Sequence, residues 1–65
     1  MADMDGVLFE ALSTLEMAEL EDQNGGDRYA IRRAARAALE LAQGAGGQKP
    51  LRGEIIGRAN QLLEG

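Results

Sequence analysis

Glycines and polar residues crowd together twice in this 65-residue chain, and each cluster has the composition of a binding loop. Asp22-Gln23-Asn24-Gly25-Gly26-Asp27 offers the oxygen ligands and the turn-forming glycines that a calcium ion uses. The twelfth position counted from Asp22 is Arg33, where such a loop needs a bidentate Glu, so the motif fails. Gly44-Ala45-Gly46-Gly47-Gln48-Lys49 has the glycines and lysine of a phosphate cradle. Pro50 stands where the hydroxyl should follow the lysine, and the stretch follows a helical pattern and not a strand. Catalytic groups are scarce. There is no His and no Cys, and Ser13, Thr14 and Tyr29 are the only hydroxyl side chains, none beside a recognisable base in sequence. The expectation is a non-enzymatic protein with no cofactor and no metal.

The arginines are the remaining chemistry. Arg33, Arg52 and Arg58 can be arranged as a helix-turn-helix that reads duplex DNA. Against this, the connection before Pro50 is glycine-rich and about six residues long, where that motif uses about three or four. The net charge is −4, and phosphate binding needs a basic footprint. Nucleic acid is therefore not the expected partner. The first 24 residues hold Asp3, Asp5, Glu10, Glu16, Glu19, Glu21 and Asp22 and no base, so a second alternative is an acidic mimic of a phosphate backbone.

The elements that carry these residues are helical. Asp27 to Gln43 is the clearest: at about 100° per residue, Ala30, Ile31, Ala34, Ala35, Ala37, Ala38, Leu41 and Ala42 share one arc. Arg28, Arg32, Arg33, Arg36, Glu40 and Gln43 fill most of the rest, with only Tyr29 and Leu39 among them. Residues 4–23 form an earlier helix whose core stripe is Met4, Val7, Leu8, Ala11, Leu12, Leu15 and Ala18, with Asp3 or Asp5 as its cap. Phe9, Met17 and Leu20 miss that stripe. A third helix, 50–64, opens at Pro50 and turns Leu51, Ile55, Ile56, Ala59, Leu62 and Leu63 to one side. Gly53 and Gly57 lie on its polar side, and residues 44–49 read as a flexible linker.

The charges suggest how the first two helices meet. Glu19, Glu21 and Asp22 oppose the dipole at the end of the first helix, and Arg28, Arg32 and Arg33 oppose it at the start of the second. The short turn Gln23-Asn24-Gly25-Gly26, with Asn24 or Gly25 as the left-handed cap and Asp27 capping the next helix, places the acidic end beside the basic start. An antiparallel, charge-complementary hairpin follows, with an additional Arg36–Glu40 pair one turn apart.

Size limits stability. Leu, Ile, Val and Phe total 14 residues and Ala adds 11. Burial at ~25 cal/mol per Å2 against ~1.5 kcal/mol of ordering entropy per residue comes out near zero for so small a core. Disulfides and zinc are excluded by composition, so a homodimer is expected. It would bury the apolar faces of helices 2 and 3, where Ile31, Ala34, Ala35, Ala38, Leu41, Ile55 and Leu62 serve dimer or core packing. The reading is an all-α single domain in a homodimeric bundle. Phe9, Glu16, Met17 and Leu20 form its partner-binding surface, toward a protein that it modulates. No run of 18 apolar residues exists and the N-terminus is acidic, so the chain is expected in the cytoplasm, away from membranes. In size, acidity and alanine content it resembles small accessory proteins of phages and bacteria that inhibit or redirect a host protein. That resemblance carries no motif and implies only an interaction role.

Overall fold

Apolar residues recurring at intervals of three and four define three helices. The computed structural model describes the backbone of residues 3–45 and 50–65, with side chains from residue 6 on within those ranges. The helices are α1 (Asp3–Gln23), α2 (Arg28–Ala45) and α3 (Pro50–Glu64), and the described residues contain no strand. They pack into a body of 38 × 17 × 14 Å. The expected caps Asp3 and Asp5 already lie inside α1, and their side chains, like that of Met4, are outside the described set.

The core is a row from each helix. Leu8, Ala11, Leu15 and Ala18 of α1, Ile31, Ala35, Ala38, Ala42 and Ala45 of α2, and Ile55 and Ala59 of α3 are all buried. Val7, Leu12, Leu39, Leu41, Leu51, Ile56 and Leu62 pack around the central cluster as half-buried neighbours. Each buried Leu or Ile contributes about 1.5–3 kcal/mol, whereas the alanines contribute mainly by letting the helices approach. The α2 row is rotated from its expected position. Leu39, placed among polar residues on the wheel, packs against the core, and Ala30 and Ala37 on the opposite edge are exposed. A leucine hides more apolar area than an alanine, so the helix turns the larger side chain inward.

The turn after α1 is closed by its backbone. Gly25 sits at φ 71°, its N–H donates to the Asp22 carbonyl (3.1 Å), and the Gly26 N–H donates to the Glu21 carbonyl (2.8 Å). This pair of bonds around a left-handed residue is the Schellman arrangement, and it satisfies carbonyls the helix end would otherwise leave open. Of the two candidates for that position, Gly25 takes it. Asp27 then caps α2: its Oδ1 accepts the Tyr29 N–H at 3.1 Å.

Helix α2 runs on through Gly44 and Ala45, two residues assigned to the linker by the sequence reading, because Ala45 is buried against the core. The other expected linker residues, 46–49, lie outside the described residues. The residues expected in dimer or core packing are buried or half-buried within the single chain. Ile31, Ala35, Ala38 and Ile55 are buried, and Ala34, Leu41 and Leu62 are half-buried.

The glycines separate into two kinds with opposite predicted effects. Gly25→Ala forces a side chain into the left-handed region and should cost about 1 kcal/mol, lowering Tm by about 4–8 °C. A Cβ added at Gly53 or Gly57 meets nothing within 4 Å. Gly53→Ala with Gly57→Ala should therefore raise stability by about 1–2 kcal/mol through helix propensity. Thermal melts followed by circular dichroism decide both.

Candidate functional site

Helix α1 has two apolar sides. The inner row consumes Leu8, Ala11, Leu15 and Ala18, and the outer side keeps Phe9, Met17 and Leu20, which are 67%, 70% and 57% exposed. Phe9 and Leu20 are eleven residues apart, about three turns, so they stand in line along the outward surface about 16 Å apart. Glu16 lies in the same line between them and is exposed, and Glu10 and Glu21 are exposed nearby. Phe9, Glu16, Met17 and Leu20 thus share one side of one rigid helix. The inner packing of Leu8, Ala11, Leu15 and Ala18 fixes the backbone beneath them.

The outward side of α2 has the opposite character. Arg32, Arg33 and Arg36 are exposed there, and Tyr29 is 69% exposed. The guanidinium carbon of Arg33 lies 5.8 Å from the Tyr29 ring centroid, a cation–π distance. Arg28, at the head of this side, pairs across the turn with Asp22 at 3.2 Å. The expected Arg36–Glu40 pair does not form; among the described residues the ion pairs are Arg28–Asp22, Arg58–Glu19 and Arg58–Glu54.

The arginines of α3 are structural. Arg58 donates to both carboxylate oxygens of Glu19, with Nε 2.9 Å from Oε2, and also reaches Glu54 at 3.4 Å. The hydrogen bond with Glu19 holds the Arg58 guanidinium above its ordinary pKa, outweighing the desolvation that acts against it. Arg52 turns the other way. Its Nε donates to the Ala42 carbonyl at 2.9 Å and its Nη2 to the Gln43 carbonyl at 3.1 Å. It thereby caps the last turn of α2 with a positive charge at the negative end of the dipole. Sequence reasoning weighed Arg52 and Arg58 for DNA, did not favour that role, and missed both tethers. No sequence spacing announces them, because each partner lies on another helix.

Among the described residues no His, Cys, Asp or Glu side chains gather as a metal site, and no helix is long and apolar enough to cross a membrane. Ser13 is exposed and Thr14 half-buried, both on α1, while Tyr29 lies on α2. Compared with protein-family models, curated proteins and solved structures, the chain matches none.

Arg52→Ala should lower unfolding stability by about 1–2 kcal/mol, since it removes two charge-assisted bonds to helix-end carbonyls. Arg32→Ala, on the exposed side, should change it by less than about 0.5 kcal/mol. Urea titration of the two variants checks the contrast, and equal effects would remove Arg52 from its capping role.

Proposed function

We propose that the chain is a non-enzymatic interaction module that docks another protein on the outward side of α1 and modulates it. The observation that carries this is the exposure of Phe9, Met17 and Leu20 on one helix of a chain with so few large apolar residues. Single exposed apolar side chains are ordinary, but three on one side of one helix form a surface that water disfavours. Phe9 is the only Phe, and aromatic side chains are over-represented among the residues that dominate interface energies. Glu10 and Glu16 beside them would steer and orient an oppositely charged partner more than they would hold it.

In this reading α1 and α2 form an antiparallel hairpin, which the four-residue connection and the Asp22–Arg28 pair support. Helix α3 braces it through Arg52 and Arg58. The DNA-reading alternative loses ground because those two arginines are occupied by carbonyls and carboxylates of the same chain. The acidic-mimic alternative draws on the acids of α1, but Phe9, Met17 and Leu20 interrupt them with apolar surface that a phosphate surrogate does not need.

Phe9→Ala combined with Leu20→Ala should leave helicity unchanged, because both side chains lie outside the core. The same double variant should lose any protein that the wild type retains on a column, a loss of about 2–4 kcal/mol for two anchors of this kind. Parallel capture with wild type and double variant reads the difference, and a partner held equally by both would place the docking surface elsewhere.

A further inference from the structure

The arginines of the three helices divide into two groups. Arg28, Arg52 and Arg58 are engaged inside the fold, by Asp22, by the carbonyls of Ala42 and Gln43, and by Glu19 with Glu54. Arg32, Arg33 and Arg36 are all exposed, and they take part in none of the ion pairs formed among the described residues. These three fall together. Counted from Tyr29 they stand three, four and seven residues on, so the four side chains occupy the corners of one rhombus on the α2 surface. Arg32 and Arg33 flank it on either side, and Tyr29 and Arg36 mark its ends, about 10 Å apart. Tyr29 is 69% exposed, and the Arg33 guanidinium carbon 5.8 Å from the ring centroid joins ring and charge in one patch.

The arrangement works against the helix that carries it. Arg36 has like charges three and four residues before it, in Arg33 and Arg32, and such pairs weaken a helix. A surface shaped for stability alone would place acids among them. Along α2 the nearest acids, Asp27 and Glu40, instead stand outside the rhombus, one beyond each end. Asp27 is already in use as the helix cap.

From this geometry we infer that α2 carries a docking surface of its own, independent of the one proposed on α1, and that its occupant is an acidic helix of another protein. The matching helix repeats the rhombus with opposite charge: an apolar side chain over the Tyr29 ring, and carboxylates three, four and seven residues from it for the three guanidiniums. Carboxylates four residues apart on a helix are separated by about 6 Å along its axis, as Arg32 and Arg36 are. A guanidinium can fork onto a carboxylate with two parallel bonds, which fixes register as well as charge. The arginine stems and the ring supply apolar cover beneath. The bounding acids set the length of the occupant. Two turns of negative charge fit between Asp27 and Glu40, whereas a nucleic-acid strand carries its charge past both and meets a chain of net charge −4. The patch is far smaller than the surface of a stable complex, so the contact is weak and reversible.

Tyr29 is the only Tyr and the chain has no Trp, so tyrosine fluorescence reports on this patch alone. The probe is an alanine-based helical peptide with one leucine and glutamates three, four and seven residues after it; a control peptide has glutamines in their place. At low salt the acidic peptide should change the fluorescence with Kd on the order of 1 mM, and the control should bind at least about tenfold more weakly. Raising salt to about 0.5 M should weaken the acidic peptide about tenfold. Arg32→Gln with Arg33→Gln and Arg36→Gln should weaken it at least about tenfold with helicity unchanged. Phe9→Ala with Leu20→Ala should leave peptide binding within about twofold, because those side chains belong to α1. Failure of this surface and failure of the α1 docking role are therefore separate results. Five outcomes overturn the inference: no response to the acidic peptide up to about 5 mM, an equal response to the control, undiminished binding by the triple-glutamine chain, loss of binding in the α1 variant, or tighter binding of an oligothymidylate of about ten nucleotides.

Discussion

The alanine row of α2 sets the distances on which the rest of the structure depends. Ala35, Ala38, Ala42 and Ala45 are buried with almost no exposed surface, and two helices close on them. Small side chains let backbones approach, so a few larger residues, Leu8, Leu15, Ile31 and Ile55, are enough to fill what remains. This economy has a limit. Close packing against alanine leaves no space for added methylenes, and larger residues along that row would force the helices apart. It also explains why the chain has apolar residues left over: a core built on alanine does not need Phe9, Met17 and Leu20.

Electrostatics resolves the conflicts that each helix has when taken alone. The end of α1 is acidic where its dipole is already negative, and α2 begins with arginine where its dipole is positive. Asp22 and Arg28 meet across the turn, and Glu19 is met from a third helix by Arg58. The Asp22–Arg28 pair is about half exposed and contributes little to stability. The Glu19–Arg58 pair is better shielded and has two donors on one carboxylate, the geometry in which such a contact holds register.

Much of the fold was legible in the sequence. In α2 apolar and charged residues segregate around the helix, so its inner row could be read within a fraction of a turn. The error was at Leu39, where a wheel weights every apolar residue alike and real packing favours the larger one. Helix α1 was harder, since it carries apolar residues on both sides, and the core stripe emerged only by spacing. Phe9, Met17 and Leu20 fell off that stripe, and the structure leaves them in solvent. The apolar arcs of α2 and α3 were read as dimer or core packing, and one chain buries Ile31, Ala38 and Ile55 by itself. The tethers of Arg52 and Arg58 were not legible for a different reason: both act on other helices, and tertiary partners leave no periodic trace in a linear sequence.

The two arginine tethers of α3 also bear on how the molecule comes apart. Undocking α3 would strip the guanidinium from the Ala42 and Gln43 carbonyls and leave Glu19 without its donor. It would also open the core cluster that Ile55 and Ala59 share with α1 and α2. The end of α2 and the whole of α3 are therefore bound into one cooperative unit. Their slowest amides should exchange with solvent only through a common opening. A helix that carries two glycines on its outer side thus owes its persistence to what it holds in place elsewhere.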